Sequence, residues 1–592
     1  MKLEKLRNLM NDAEIDYYVI PTDDFHASEY VGDYFQAREY ISGFTGSAGT
    51  LLVGKEFAGL WTDGRYFLQA AEELAGSGIE LMKMGVEGVP SLVDYLKENL
   101  TDQGTLGFDG RCVSADFVGE LKEALNGQKL NIVYERDLVG EMWEDRPALS
   151  KKPAWFLDVE TCGATRKEKI AGIRKEMKEK DAKALLLTSL DDIAWLLNMR
   201  GDDIAYNPVV LSFCLITDEE VRLFIQRGSL NAEQEMQFAA DGILLDQYLS
   251  VYDYVKTLQM ENIWLNDQKT SYALMENLPK EVKIIKGMTP VAYTKCVKNE
   301  KEQENIRQAH IKDGVAMTKF MYWLKANAGK ADMTEISVAE MVKKFREAQE
   351  GFVEESFTTI CGYGPHGAVI HYHATEENNA MIKPEGLLLV DSGGQYLEGT
   401  TDITRTFAMG SVTEEEKKNF TIVLKSNLRL GNVTFKEGCT GENLDMVARQ
   451  PLWEAGLDYN HGTGHGIGFV LNVHETPARI NWKGRPGYGE SDPFKPGMIV
   501  SNEPGFYKAG AHGIRLENLI LCQEKETTEY GRFLNFETLT LVPFDLDAVD
   551  VTLLDCKEKQ LLNDYHSKVY NTLSSYMTEE ELAWLEKATR AI

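Results

Sequence analysis

The chain of 592 residues is 43% hydrophobic and 26% charged, a globular balance that excludes a disordered or fibrous polypeptide; at roughly 150 residues per domain it implies three or four domains. Its 63 basic and 93 acidic side chains leave a formal charge of −30, a surface that repels phosphate backbones and anionic lipid and so argues against nucleic acid or membrane as a partner. No run approaches the ~18 to 20 apolar residues of a membrane span, Lys2 to Lys5 opens a mixed helix instead of an apolar signal core, and the eight cysteines are far apart with no C-x-x-C pair, so the expectation is a cytoplasmic protein with reduced, mostly buried thiols.

In chain order, Leu6 to Thr22 reads as a short amphipathic helix running into an apolar strand, followed by Asp23-Asp24 and a hairpin-like stretch from Gly49 to Tyr66. Ile173 to Ser189 repeats the pattern, with Asp191-Asp192 and a second hairpin-like stretch, Leu211 to Gln226. We read a degenerate internal duplication. The Pro147 to Pro153 segment disfavours continuous helix or sheet and puts a boundary near residue 155. After Lys298 the texture changes. Asn299 to Ala328 is a long helical pattern in which Ile306, Ile311, Val315, Phe320 and Trp323 recur at three- to four-residue spacing, and Met317 to Trp323 reads as core. A second helix starts at Thr334, glycine-punctuated strands follow, and helices are expected around 413–430 and 441–455, the first capped by Thr413 with Glu414 to Glu416 in its opening turn. More strands run to about 543, and a helical tail closes the chain.

Seven of the ten histidines lie between His366 and His512, a quarter of the chain in which even scatter would put two or three. Clustering of the side chain that titrates near neutrality and binds metals when neutral points to a site. Four segments carry matching groups. The buried-strand pattern Leu387 to Asp391 and the segment Thr401 to Thr406 place Asp391 and Asp402 opposite or diagonal to each other if the two pair as a hairpin. In His461-Gly-Thr-Gly-His465-Gly-Ile-Gly468, alternate glycines let the backbone approach a ligand or metal closely. Val500 to Gly505 ends a strand in Glu503, and in Gly513 to Asn518 alternation sets Arg515 and Glu517 on one side, opposite Leu516. Four carboxylates and an imidazole form a hard, oxygen-rich set suited to two divalent metals bridged by acids. Gly362-Tyr-Gly364-Pro-His-Gly367 fits G-x-G-x-x-G, yet Ala368 to His373 alternates like a strand where a dinucleotide fingerprint opens a helix. His366, His373 and His512 are set outside the catalytic group as supporting or solvent-facing residues.

These motifs, with Ser42 to Thr50, Trp61 to Tyr66, Gly367 to Tyr372 and Leu471 to Glu475 in the same order, closely resemble the pita-bread metallopeptidases of family M24, in the three-domain aminopeptidase P (Xaa-Pro aminopeptidase) branch, over essentially the whole chain. The resemblance implies an α/β chain: two related creatinase-like N-terminal α/β domains, 1–155 and 156–298, then a pita-bread α+β catalytic domain, 299–592, with a helical tail from about 546. It further implies that Asp391 chelates one metal, Asp402 and Glu517 bridge both, and His465 and Glu503 complete the second. Two divalent ions are implied, manganese first, with zinc or cobalt as options. By the same resemblance a dimetal-bridged hydroxide attacks the bond before proline, Glu503 moves the proton, His371, His461 and His474 orient substrate and steady the oxyanion, and Tyr507 and Arg515 support them. The implied substrates are peptides with proline second, and the implied assembly is a homodimer. A prolidase acting on X-Pro dipeptides and a non-catalytic pita-bread binding module remain the alternatives at this point.

Overall fold

In the computed structural model, which describes residues 2–483 and 492–592, the opening apolar pattern folds as read. Helix Lys2–Asp12 buries Leu6 and Met10, four positions apart and therefore on one face, and strand Tyr17–Pro21 follows it. That strand lies fourth in a six-stranded sheet, in spatial order Glu80–Lys83, Ala58–Thr62, Thr50–Gly54, Tyr17–Pro21, Thr105–Phe108, Asn131–Val133. It is antiparallel to Thr50–Gly54 and parallel to Thr105–Phe108. The second sheet has the same order: Ile243–Gln247, Val221–Ile225, Ser212–Thr217, Ala184–Leu187, Asn262–Leu265, Lys283–Lys286. Ala184–Leu187, preceded by helix Arg166–Glu179, again has an antiparallel hairpin strand on one side and a parallel strand on the other. The duplication inferred from the sequence is thus a shared topology.

By packing, the chain divides into two bodies: Met1–Asp158 with Ala164–Ala292, and Val159–Gly163 with Tyr293–Ile592. Both sheets just described belong to the first, and residues 293–298 pack with the second. In the first body the buried His26 ties the two sheet regions together, through Nδ1 to the Thr188 carbonyl (2.8 Å) and Nε2 to the Tyr248 hydroxyl (2.6 Å).

The second body opens with helix Glu300–Asn327, started by a capping box between Asn299 and Glu302. Its Met317, Phe320 and Leu324 meet Val338 and Val342 of helix Glu335–Glu347, and together they cover Leu388, Val390 and Phe407 of the central strands Leu387–Ser392 and Ile403–Ala408. Leu389 faces the other way, towards Ile360 and Tyr372, so period-2 alternation sends Asp391 to that second face. A six-stranded sheet contains Gly464–Gly466, Ile499–Asn502 and Asn518–Thr528, and a separate hairpin pairs Gly505–Lys508 with His512–Arg515. Thr413 caps helix Glu414–Gly431 as expected, and Glu416 completes a capping box with it. Among the described residues no helix is long and apolar enough to cross a membrane, and the eight cysteines are unpaired, five of them buried.

One local expectation fails. Ala368 to His373 is not strand-like: a 3-10 turn, Gly364–Ala368, leads into an irregular loop. Local turns, Val369 N–H to the His366 carbonyl (3.0 Å) and Tyr372 N–H to that of Val369 (3.1 Å), and Arg515 at the Ile370 carbonyl (3.4 Å) take the place of a neighbouring strand, a pattern that alternation cannot disclose.

His566 gives the fold a pH dependence. Its Nε2 accepts the Phe544 N–H (3.1 Å), and burial, helped by the nearby Arg405 and Arg590 charges, pushes its pKa down to about 3. The unfolded chain, with a histidine near 6.5, takes the proton first, so the stability His566 contributes is complete above that value and is lost as pH falls towards 3. Between pH 7 and 5 the unfolding free energy should fall by about 2 kcal/mol more in the wild type than in His566→Gln; urea titrations at both pH values check this, and parallel losses would refute it.

Candidate metal centre

Strand pairing builds the acid pair. Leu387–Ser392 runs antiparallel to Ile403–Ala408 with Asp391 opposite Thr404, so Asp402, two residues before Thr404, stands diagonal to Asp391 on the same face. Thr404 then works as a bracket. Its hydroxyl donates to Glu517 Oε2 (2.7 Å) and accepts from Arg515 Nε (3.1 Å), while its carbonyl takes the Glu517 N–H (3.0 Å). Arg515 and Glu517 therefore share a side, as alternation requires, and Leu516 points into the apolar core.

The third and fourth strands bring His465 and Glu503. Gly464–Gly466 lies beside Ile499–Asn502, and Ser501 joins them, accepting the His465 N–H (2.9 Å) and donating to Glu503 Oε1 (3.1 Å). His465 Nδ1 lies 3.1 Å from the Gly466 carbonyl, an acceptor that favours the proton on Nδ1. The lone pair of Nε2 then points at Asp402 Oδ2 and Glu503 Oε1, each 3.5 Å away. A lone pair aimed at two carboxylates is repelled unless a cation lies between them.

The charge balance leads to the same requirement. Burial, then repulsion from Asp391 and Glu503, pushes the Asp402 carboxyl well above the usual carboxylate range. Burial, then Asp402, Glu503 and Asp391, does the same to Glu517. Burial drives Glu503 up to about 7, against the pull of Arg515. Asp391 Oδ1 and Glu517 Oε1 are buried without a hydrogen-bond partner. Asp402, His465 and Glu517 each present a donor atom within 4.8 Å of the others. Orphaned carboxylate oxygens, a directed imidazole and mutual repulsion are what divalent cations resolve, so the donor set fits the implied metals.

The remaining sequence-predicted residues surround this cluster. Arg515 pairs with Asp391 Oδ2 (2.6 Å) and donates to the Tyr507 hydroxyl (2.7 Å). Tyr507, kept protonated by burial that lifts it to about 12, donates in turn to His461 Nε2 (2.8 Å), whose Nδ1–H is held by the Gly462 carbonyl (2.7 Å). His474 stands edge-on to His465, ring centres 4.3 Å apart. His371 sits in the irregular loop one residue after Ile370, whose carbonyl accepts from Arg515 (3.4 Å). His366 bonds to Glu335 and His512 to Asn419, both away from the acids.

Three supports escaped the sequence reading. Asn427 donates to the carbonyls of Asn502 (2.8 Å) and Leu516 (3.0 Å), the residues preceding Glu503 and Glu517, so one amide fixes the approach of two acids. Glu475, next to His474, is buried between Lys295 (3.3 Å) and Lys298. Thr404 is the third, and period-2 spacing from Asp402 was a usable signal for it; Asn427 lies on a distant helix and had none.

The profile described as metallopeptidase family M24 matches residues 304–524, and that of its C-terminal region matches 532–592. Profiles of the creatinase/prolidase N-terminal domain match 2–134 and 145–302. A probable Xaa-Pro aminopeptidase P of Talaromyces marneffei is 40% identical over all of this chain and 92% of its own length, and Xaa-Pro aminopeptidase 1 of Dictyostelium discoideum is 37% identical over all of this chain and 96% of its own. The X-prolyl aminopeptidase of Caenorhabditis elegans, described as a cytosolic enzyme with a di-nuclear active site, superposes with a TM-score of 0.95 at 34% identity, covering 100% of this chain and 99% of that one. With its creatinase-type N-terminal domains and its pita-bread catalytic body, the chain belongs to metallopeptidase family M24, among the three-domain Xaa-Pro aminopeptidases.

Proposed function

We propose that the chain is a metal-dependent exopeptidase that releases the first residue from peptides with proline second. The observation that carries this reading is the convergence of Asp402, His465 and Glu517 within 4.8 Å, with Glu503 at 3.5 Å from His465 and Asp391 diagonal to Asp402. These five residues would hold two divalent cations, manganese first among the candidates. Bound there, such ions supply an acidified water and polarise the scissile carbonyl. Glu503 takes the proton of the attacking water and returns it to the prolyl nitrogen as the C–N bond breaks. His371, His461 and His474 hold the substrate carbonyl and its developing oxyanion, and the Arg515–Tyr507–His461 chain keeps His461 in one tautomer and orientation. The free amino group of the substrate meets Asp391, which limits cleavage to one residue. An X-Pro bond lacks the N–H that general peptidases bind; imidazole and phenol walls suit the prolyl ring instead. By likeness to the nematode enzyme we place the protein in the cytosol, and by family resemblance we assign a homodimer.

Release of the first residue from an X-Pro-Y tripeptide, abolished by chelator and restored by manganese, is the expected result. Cleavage confined to X-Pro dipeptides would favour prolidase, and absence of metal-dependent hydrolysis of either would leave a binding role.

A further inference from the structure

Outside the metal centre, Glu335 is a fully buried carboxylate that no step above uses. It is the first residue of helix Glu335–Glu347, where the aligned backbone amides favour negative charge. Four donors converge on it. Oε1 accepts the Tyr363 N–H (2.7 Å) and His366 Nδ1–H (2.8 Å); Oε2 accepts the Tyr372 hydroxyl (2.8 Å) and the Ala380 N–H (2.8 Å).

These donors bracket one excursion of the chain. Tyr363 is the last residue of strand Ile360–Tyr363. Ala380 is where the chain returns, since its carbonyl takes the Glu335 N–H (3.2 Å) and the Ile382 N–H then bonds to Met333 (2.8 Å). His366 and Tyr372 lie between, stacked with ring centres 4.5 Å apart. From Val369 to Ala380 the backbone has no strand partner, and Glu335 ties this stretch at two points, the Tyr372 hydroxyl in its middle and the Ala380 N–H at its end. On its other flank the loop presses against the metal-site hairpin: Gly367 and Gly513 approach so closely that a Cβ on Gly513 would sit 1.6 Å from the Gly367 carbonyl oxygen. His371 falls between two anchored neighbours, Ile370 held by Arg515, the partner of Asp391, and Tyr372 held by Glu335.

We infer that Glu335 is the clasp of the 364–380 loop and thereby a positioning residue for His371, setting its place relative to Asp391 without touching substrate or metal. The kinetic part of this inference rests on the peptidase reading; the structural part does not.

The test is Glu335→Gln, which keeps the size but turns one acceptor oxygen into a donor facing other donors. Hydrogen exchange of residues 364–380 should accelerate relative to the wild type while the rest of the second body keeps its protection. Metal content should match the wild type, and kcat/KM on X-Pro-Y should fall about 10- to 100-fold, the scale of a misplaced catalytic group. In a His371→Ala background the same substitution should cost less than about threefold, because the group it positions is gone. Unchanged loop exchange, or an equal penalty with and without His371, would overturn the inference. Should Glu335→Gln not fold, Tyr372→Phe removes one donor from the opposite side and takes the same measurements. A wild type inactive on X-Pro-Y would count against the peptidase reading alone, and the exchange comparison would still decide for or against the clasp.

Discussion

Asp402→Asn is expected to lower kcat/KM on an X-Pro-Y tripeptide by at least about 1,000-fold, since several kcal/mol of charge stabilisation are at stake and each 1.36 kcal/mol is tenfold in rate. The substitution keeps the shape of a buried side chain but removes a charge 3.5 Å from His465 Nε2. Bound manganese, measured by atomic emission, should fall with the rate. Stability should move the other way. In metal-free protein Asp402 is one of four mutually repelling acids, so the asparagine variant should melt no lower than metal-free wild type. Wild-type metal content with wild-type rate would remove Asp402 from the centre.

Gly464→Ala should have the next largest effect. A Cβ there would lie 2.0 Å from the Ser501 carbonyl oxygen and 2.9 Å from its carbon, backbone atoms that cannot swing aside. Strands Gly464–Gly466 and Ile499–Asn502 must separate, and with them His465 and Glu503. Overpacking of this kind costs about 1–3 kcal/mol, and a displacement near 1 Å at the chemistry costs about a hundredfold in kcat/KM. Gly462, two residues earlier in the same motif, has its nearest neighbour at 3.5 Å, and Gly462→Ala should keep both stability and most of the rate. Equal damage from the two variants, in melting and steady-state assays, would rule out the close-approach account.

That contrast shows where sequence reasoning stopped. Alternating glycines between His461 and Gly468 suggest room for a ligand or metal, but Gly464 and Gly466 make room for the Ser501 and Glu475 carbonyls of neighbouring strands, and Gly468 for that of Asn472 in the following loop. The acids themselves were legible because each ends or precedes an apolar strand: alternation along Leu387–Ser392 fixes the face of Asp391, and the hairpin register fixes Asp402 diagonal to it. The repeated helix, strand and hairpin pattern likewise announces two related units, though the six strands of each sheet appear only in the structure. Residues that act across long sequence separations were not legible. Asn427 reaches Asn502 and Leu516 from a helix whose own pattern reports only its apolar stripe. Glu335 reads as an ordinary first-turn acid of a helix, and nothing local announces that four donors from 363 to 380 will find it.

The two lysines around Glu475 change where the catalytic polypeptide must be cut. The family signature starts at residue 304, yet Lys295 and Lys298 lie ahead of it and neutralise a carboxylate adjoining His474. A shortened protein starting at the signature would strand Glu475 as a lone anion in an apolar interior, a loss on the order of 3–5 kcal/mol. The compact second body accordingly reaches upstream of the signature, running from Tyr293 to Ile592 and taking in Val159–Gly163 as well.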